Sequence, residues 1–144
     1  MPHLNDRASA ADPLRVLLLD DDPFQLSLLE DMLEDLGDFN VATANHSKAA
    51  LAMLQTNPPD LMVCDLSMPD MDGIEFLRHV AEHGYTGTVV LLSGMESGVL
   101  KAAERLAMAQ GLTILGACAK PVALVELSDL VNLARMHRRP RRSA

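Results

Sequence analysis

The sequence predicts a doubly wound α/β domain built on a parallel sheet, and three observations carry that prediction. Five apolar runs of strand length alternate strictly with five segments of helical period. Three of the runs are nearly continuous in Val, Leu, Ile or Met, which suits strands covered by helices on both faces. The chain has 144 residues, enough for one domain with an ordinary core and right-handed crossovers between its strands.

The first strand is "RVLLL" (15–19), which runs into Asp20, Asp21, Asp22 and Pro23. Asp22 before a proline suits the start of a helix, where the dipole favours an acid. Leu26, Leu29, Met32, Leu33 and Leu36 then recur at three and four, with Glu30, Asp31, Glu34 and Asp35 between them and Gly37 as a stop. "NVATA" (40–44) is the second strand, and Ser47 can cap the helix "KAALAML". "DLMVC" (60–64) is the third strand, and in the loop beyond it turn chemistry accounts for Asp70 and Asp72. Ile74, Leu77, Val80 and Ala81 share one face of the third helix. "TVVLL" (88–92) leads to a fourth helix marked by Val99, Ala102, Ala103, Leu106 and Ala109 and closed by Gly111. "TILGA" (113–117) leads to a fifth, marked by Leu124, Leu127, Leu130, Val131 and Ala134. Residues 1–13 read as a loose tail, 14–136 as the domain, and 137–144 as an Arg-rich tail or linker.

Composition narrows the function. Three Phe, one Tyr and no Trp leave little for stacking on single-stranded nucleic acid. The formal net charge is −8, and five of the twelve basic residues are Arg135, Arg138, Arg139, Arg141 and Arg142 at the end. The acidic body should repel nucleic acid and anionic lipid and attract a metal ion or a basic protein surface. No apolar run approaches the roughly 20 residues of a membrane span, and the N-terminus lacks a signal-peptide core. Cys64 and Cys118 form no C-x-x-C pair. These readings lead us to expect a reduced, cytoplasmic chain that binds neither nucleic acid nor membrane.

In a doubly wound sheet the ligand site lies beyond the carboxyl ends of the strands. There the first strand delivers Asp20, Asp21 and Asp22, the third Asp65, the fourth Ser93 and the fifth Lys120. Clustered carboxylates repel one another, and a hard divalent cation removes that cost. Mg²⁺ prefers oxygen ligands and is held by one or two carboxylates together with phosphate oxygens. Asp21 and Asp65 are the primary ligand candidates, with Asp20 acting directly or through a water, and the backbone carbonyl of Ser67 can add an oxygen. A carboxylate beside Mg²⁺ can also be a nucleophile that becomes an aspartyl phosphate. Asp65 fits that role because it stands alone after a central strand. Lys120 and Ser93 would neutralise two phosphoryl oxygens, and Gly94 leaves space for the incoming group.

Together, "LLLDDDP", "DLMVCDLSMPDMDG", "VVLLSG" and "AKPV" resemble, in order and spacing, the motifs of bacterial response-regulator receiver domains, over about residues 14–136. The resemblance implies a flavodoxin-like (βα)5 fold with strand order 2-1-3-4-5. It implies that Asp20 and Asp21 bind Mg²⁺, and that Asp65 accepts phosphate from a histidine kinase or histidine phosphotransfer protein. It implies that Ser93 reorients on phosphorylation, that Lys120 pairs with the phosphoryl group, and that the Lys120–Pro121 bond is cis. The residues that tune phosphate lifetime fall on Ser67 and Met95, neither an acid nor an amide, so fast autodephosphorylation is not expected. The chain would be no enzyme beyond its own phosphorylation and slow hydrolysis. The partner surface is expected on the fourth helix, fifth strand and fifth helix, near Leu100, Arg105, Leu124 and Leu127, for a homodimer or an output partner. A fainter likeness, over "LLSGMESGVLKAAERLAMAQGLTILGACAKPV", is to receivers joined to cyclic-di-GMP phosphodiesterase domains. One departure stands out: Ala117 occupies the position, three before Lys120, where many receivers carry a rotating Tyr or Phe.

Two alternatives stay open. One is an interaction or dimerisation module that works unphosphorylated, which Ala117 favours. The other is a Mg²⁺-dependent phosphatase with an aspartyl nucleophile, although Phe24 stands where such enzymes need Thr or Val. "HVAEH" (79–83) matches a zinc-protease pattern, but His79 and His83 fall opposite the apolar face of their helix and are read as solvated. The two cysteines are read as small buried hydrophobes.

Overall fold

A computed structural model describes residues 12–69, 72–94 and 97–138, with only the backbone described at 97–99. The elements alternate as expected: β1 (Leu14–Leu19), α1 (Pro23–Leu36), β2 (Phe39–Ala44), α2 (Ser47–Thr56), β3 (Leu61–Asp65), α3 (Gly73–Glu82), β4 (Thr88–Ser93), α4 (Ser97–Ala109), β5 (Thr113–Ala119) and α5 (Leu124–His137). All four strand pairings are parallel, and the sheet order is β2-β1-β3-β4-β5, the expected 2-1-3-4-5. The tails read at 1–13 and 137–144 lie outside the described residues except at 12, 13, 137 and 138. The same is true of Asp70 and Met95.

Strand chemistry explains the order. β3 and β4 are buried at every position and β1 at all but Arg15, as central strands must be. β2 and β5, at the two edges, are only partly buried. Helices pack on both faces. On one side Leu29 and Leu33 of α1 meet Leu127, Leu130 and Val131 of α5 over Val16, Leu18, Val63 and Val90. On the other, Ala50, Leu54, Phe76, Leu77, Val80, Leu100 and Ala103 of α2, α3 and α4 cover Leu17, Met62, Cys64 and Leu91. Each fully buried Leu or Val contributes about 1.5–3 kcal/mol, so these two layers hold the strand ends in place. Gly116 matters on β5: a Cβ there would sit 2.8 Å from Leu130 Cδ2, so glycine lets α5 approach the strand.

Several local expectations need correction. Asp22 does cap α1, accepting the Phe24 N–H, with Pro23 in the first turn. The cap of α2 is His46, whose Nδ1 accepts the Ala49 N–H at 3.2 Å; Ser47 is the first helical residue. An imidazole nitrogen serves the same orphan donor that a serine oxygen would. On α4 the buried stripe is Leu100, Ala103 and Ala107, while Ala102, Leu106 and Ala109 are exposed. Alanine recurs so often there that apolar spacing alone admits two faces, and contact with β5 and α3 selects one.

Candidate functional site

Four strand ends build the site. β1 ends in a buried Asp20, whose Oδ1 accepts the Asp22 N–H at 2.9 Å, so the start of α1 and the acid position each other. Asp21 is exposed beside it. β3 ends in Asp65, 2% exposed. Its Oδ1 accepts the Ser67 N–H at 2.9 Å and its Oδ2 accepts from Lys120 Nζ at 3.1 Å. Lys120 Nζ also lies 3.6 Å from Asp20 Oδ2. Lys120 follows β5, and its N–H donates to the Ser93 carbonyl at 2.9 Å. The Lys120–Pro121 bond is cis, as the resemblance implied. Ser93 is fully buried at the end of β4, with its Oγ 3.1 Å from Ser67 Oγ.

The electrostatics are those of a site short of positive charge. Burial raises the Asp20 carboxyl above its ordinary value, and the nearby charge of Asp65 adds to this, outweighing the Asp22 N–H and Lys120. Burial works to lower Lys120, but its bond to Asp65 and the charges of Asp65 and Asp20 prevail and raise it. The lysine is therefore held charged. One oxygen from each of Asp20, Asp21 and Asp65 lies within 4.8 Å of the others, a donor set of hard oxygens. Asp20 Oδ2 is buried and has no hydrogen-bond partner. A buried carboxylate oxygen with no hydrogen bond, paired with Lys120 only at 3.6 Å and set among three clustered acids, is what an oxygen-seeking cation would satisfy, so these residues fit a divalent metal.

The residues singled out from sequence as catalytic or ligating therefore meet at one edge. The sequence singles out Ser67 for its carbonyl and as a residue tuning phosphate lifetime, but does not show that its hydroxyl faces Ser93 and accepts the Gly94 N–H at 3.1 Å. The signal available was a second hydroxyl residue in the loop after the third strand. The "HVAEH" histidines do not converge on a metal: His79 Nδ1 lies 3.5 Å from Glu82 on the surface, and His83 Nδ1 lies 2.7 Å from the His79 carbonyl. Cys64 and Cys118 are buried and free, and burial pushes the Cys118 thiol up to about 12. Of the four residues placed in the expected partner region, Leu100 and Leu127 are core, while Arg105 and Leu124 are exposed. Ala117 is half-buried. Among the described residues no helix is long and apolar enough to cross a membrane.

Comparison with known proteins agrees with this fold. The response regulator receiver domain family matches residues 16–132. A crystallised response regulator from Colwellia psychrerythraea is 39% identical, with a TM-score of 0.74 over 87% of this chain and 99% of that one. The chemotaxis protein CheY4 of Vibrio cholerae is 26% identical, with a TM-score of 0.72 over 85% of this chain and 99% of its own. The cyclic di-GMP phosphodiesterase RocR of Pseudomonas aeruginosa is 33% identical over 119 residues, 82% of this chain and 30% of its own length. The two-component response regulator ORR26 of rice is 34% identical over 81% of this chain and 19% of its own. The chain thus spans less than a third of the length of these two curated relatives.

Proposed function

The chain belongs to the response regulator receiver family, and on that premise we propose that Asp65 accepts a phosphoryl group from a phosphohistidine in a Mg²⁺-dependent reaction. The donor would be a histidine kinase or a phosphotransfer protein. The observation that carries this reading is the Lys120 ammonium set 3.1 Å from Asp65 and 3.6 Å from Asp20, beside a donor set suited to a divalent cation. Mg²⁺ held by Asp20, Asp21, Asp65 and the Ser67 carbonyl would supply charge neutralisation for the phosphoryl oxygens. An Asp65 oxygen attacks phosphorus, the P–N bond to the donor imidazole breaks, and its electron pair leaves with the ring nitrogen. Lys120 neutralises one phosphoryl oxygen and the Ser93 hydroxyl donates to another. Part-buried hydrogen bonds from Ser67 and Lys120 hold the Asp65 carboxylate in place, so little reorganisation precedes attack. The added charge, roughly −1.5 to −2 at neutral pH, would then shift a protein-binding surface on α4, β5 and α5. In this reading the chain is a cytoplasmic switch, not a metabolic enzyme.

The test is incubation with acetyl phosphate and Mg²⁺ followed by intact mass measurement. A phosphoryl adduct is expected in the wild type and absent from Asp65→Asn or when Mg²⁺ is chelated. An unmodified wild type would leave the unphosphorylated interaction module ahead. Steady turnover of small phosphate esters would favour the aspartyl phosphatase instead.

A further inference from the structure

One hydroxyl joins the loops that follow the two central strands. The Ser67 N–H is held by Asp65 Oδ1 at 2.9 Å, so the start of this serine is fixed to the acceptor. Its Oγ stands 3.1 Å from Ser93 Oγ and accepts the Gly94 N–H at 3.1 Å. An amide can only donate, so Ser67 Oγ uses one lone pair on Gly94 and shares a proton with Ser93. Ser93 is fully buried, whereas Ser67 is exposed. At the β5 position where an aromatic side chain could follow Ser93, the residue is Ala117.

We propose that the Ser67 hydroxyl is the resting-state latch of the Ser93 switch, holding the Ser93 hydroxyl and the Gly94 amide together until Asp65 is phosphorylated. This rests on the reading of Asp65 as the acceptor. A phosphoryl oxygen is a charged acceptor and makes a stronger hydrogen bond than a neutral hydroxyl. When the Ser93 side chain turns its hydroxyl to that oxygen, its bond to Ser67 is lost whichever of the two donates it, and Gly94 is left on a less firmly held partner. The backbone between β4 and α4 is then released at its first residue. The bond exists only in the resting state, so it works against the phosphorylated one. Removing it shifts the equilibrium towards the active arrangement by the worth of one neutral hydrogen bond, about three- to tenfold. Ser67 is a positioning residue here: it acts on Ser93 and Gly94 and makes no bond with the phosphoryl group.

Two measurements on the intact chain test this. In the metal-free, unphosphorylated protein, hydrogen exchange at the Gly94 amide should quicken about three- to tenfold in Ser67→Ala and return towards wild type in Ser67→Thr, which keeps the hydroxyl. With Mg²⁺ present, beryllofluoride, a mimic of the phosphoryl group, should bind Ser67→Ala about three- to tenfold more tightly than wild type, and Ser67→Thr like wild type. Unchanged Gly94 exchange in Ser67→Ala overturns the latch, and so does unchanged or weaker beryllofluoride binding. If the wild type takes neither beryllofluoride nor phosphate, the acceptor reading falls and the switch falls with it. Gly94 exchange involves no phosphoryl chemistry, so a failed latch shows there even when Asp65 is phosphorylated normally.

Discussion

Where the strands end, three carboxylates face one ammonium; where they begin, one carboxylate faces two guanidiniums. At the starting edge Asp60 Oδ2 accepts the Arg15 N–H at 2.9 Å, with Arg15 Nε at 3.9 Å and Arg138 Nη1 at 3.8 Å. Arg138 also donates to the carbonyls of Asp12 and Pro13, so it ties the end of α5 to the approach to β1. A cavity of about 350 Å³ opens there, lined by Arg15, Asp60, Tyr85, Thr88 and Arg138 among others. Among the described residues Asp60 is the acid of this edge, and it faces two guanidiniums while its Oδ2 accepts a backbone N–H. Each edge leaves one buried polar atom without a hydrogen-bond partner among the described residues, Arg15 Nε at the start and Asp20 Oδ2 at the end, but only the ending edge has a surplus of negative charge. The same residue types thus serve opposite ends: an acid already neutralised by cations is structure, and carboxylates in excess of their cations are a site suited to a divalent ion.

The largest effect should come from removing the only ammonium at the acidic edge among the described residues. Lys120→Ala leaves buried Asp20 and Asp65 facing each other, and is expected to cost about 3 kcal/mol of metal-free stability at pH 7 in urea unfolding. It should also abolish the acetyl phosphate adduct. The sign with pH is fixed by Asp20. Its carboxyl is raised in the folded state, so it protonates early as pH falls, and the cost should shrink towards pH 4. A penalty independent of pH would break the comparison. At the opposite edge Asp60→Ala should cost about 2 kcal/mol, because the Arg15 N–H loses its acceptor. It should leave Asp65 phosphorylation at the wild-type level in the mass assay.

That contrast also shows what the sequence could tell. Asp20, Asp65, Ser93 and Lys120 each follow a strand, so topology alone brings them to one edge, and short strand-to-helix connections leave little room for error. Asp60, Arg15 and Arg138 were not legible as a group. They lie at strand starts and a helix end, 45 and 78 residues from Asp60 respectively, and no motif links them. Which of the adjacent acids is buried was not legible either, since Asp20 and Asp21 differ only in which way one residue of backbone turns. The same limit hid His46 behind Ser47 and the Ser67 hydroxyl behind its carbonyl: a side chain's partner is set by local rotation, which apolar periodicity does not record.

Mg²⁺ should sharpen the distinction by a smaller amount. At ten times its dissociation constant it is expected to add about 1.4 kcal/mol to wild-type stability. The gain should persist in Asp60→Ala and disappear in Asp21→Asn, which loses an exposed ligand without disturbing the core. Thermal melts with and without a chelator would read this. A gain retained in Asp21→Asn would mean the cation binds elsewhere.

The smallest expected effect separates the edges by pH instead of by metal. Tyr85 is buried at the starting edge, its hydroxyl shared between the carbonyls of Pro59 and Thr88, each at 3.1 Å. Gly87 permits this: a Cβ there would sit 2.8 Å from the Pro59 oxygen and displace the ring. Burial, with some help from the charge of Asp60 and against that of Arg15, raises the phenol above its ordinary value of 10.0. A raised acid favours the folded state below its unfolded value, and that contribution is lost as pH climbs above it. For Asp20 the loss begins above its ordinary 3.8; for Tyr85 it begins above 10. Tyr85→Phe should therefore cost about 1 kcal/mol at pH 7, the worth of one hydrogen bond, and the gap to wild type should narrow above pH 10. Asp20→Asn should do the reverse at the other edge. It removes repulsion, so metal-free stability should exceed wild type at pH 7 and approach it near pH 4. If both variants changed stability in the same pH window, the two edges would be coupled through β1 and β3 and could not be treated as separate networks.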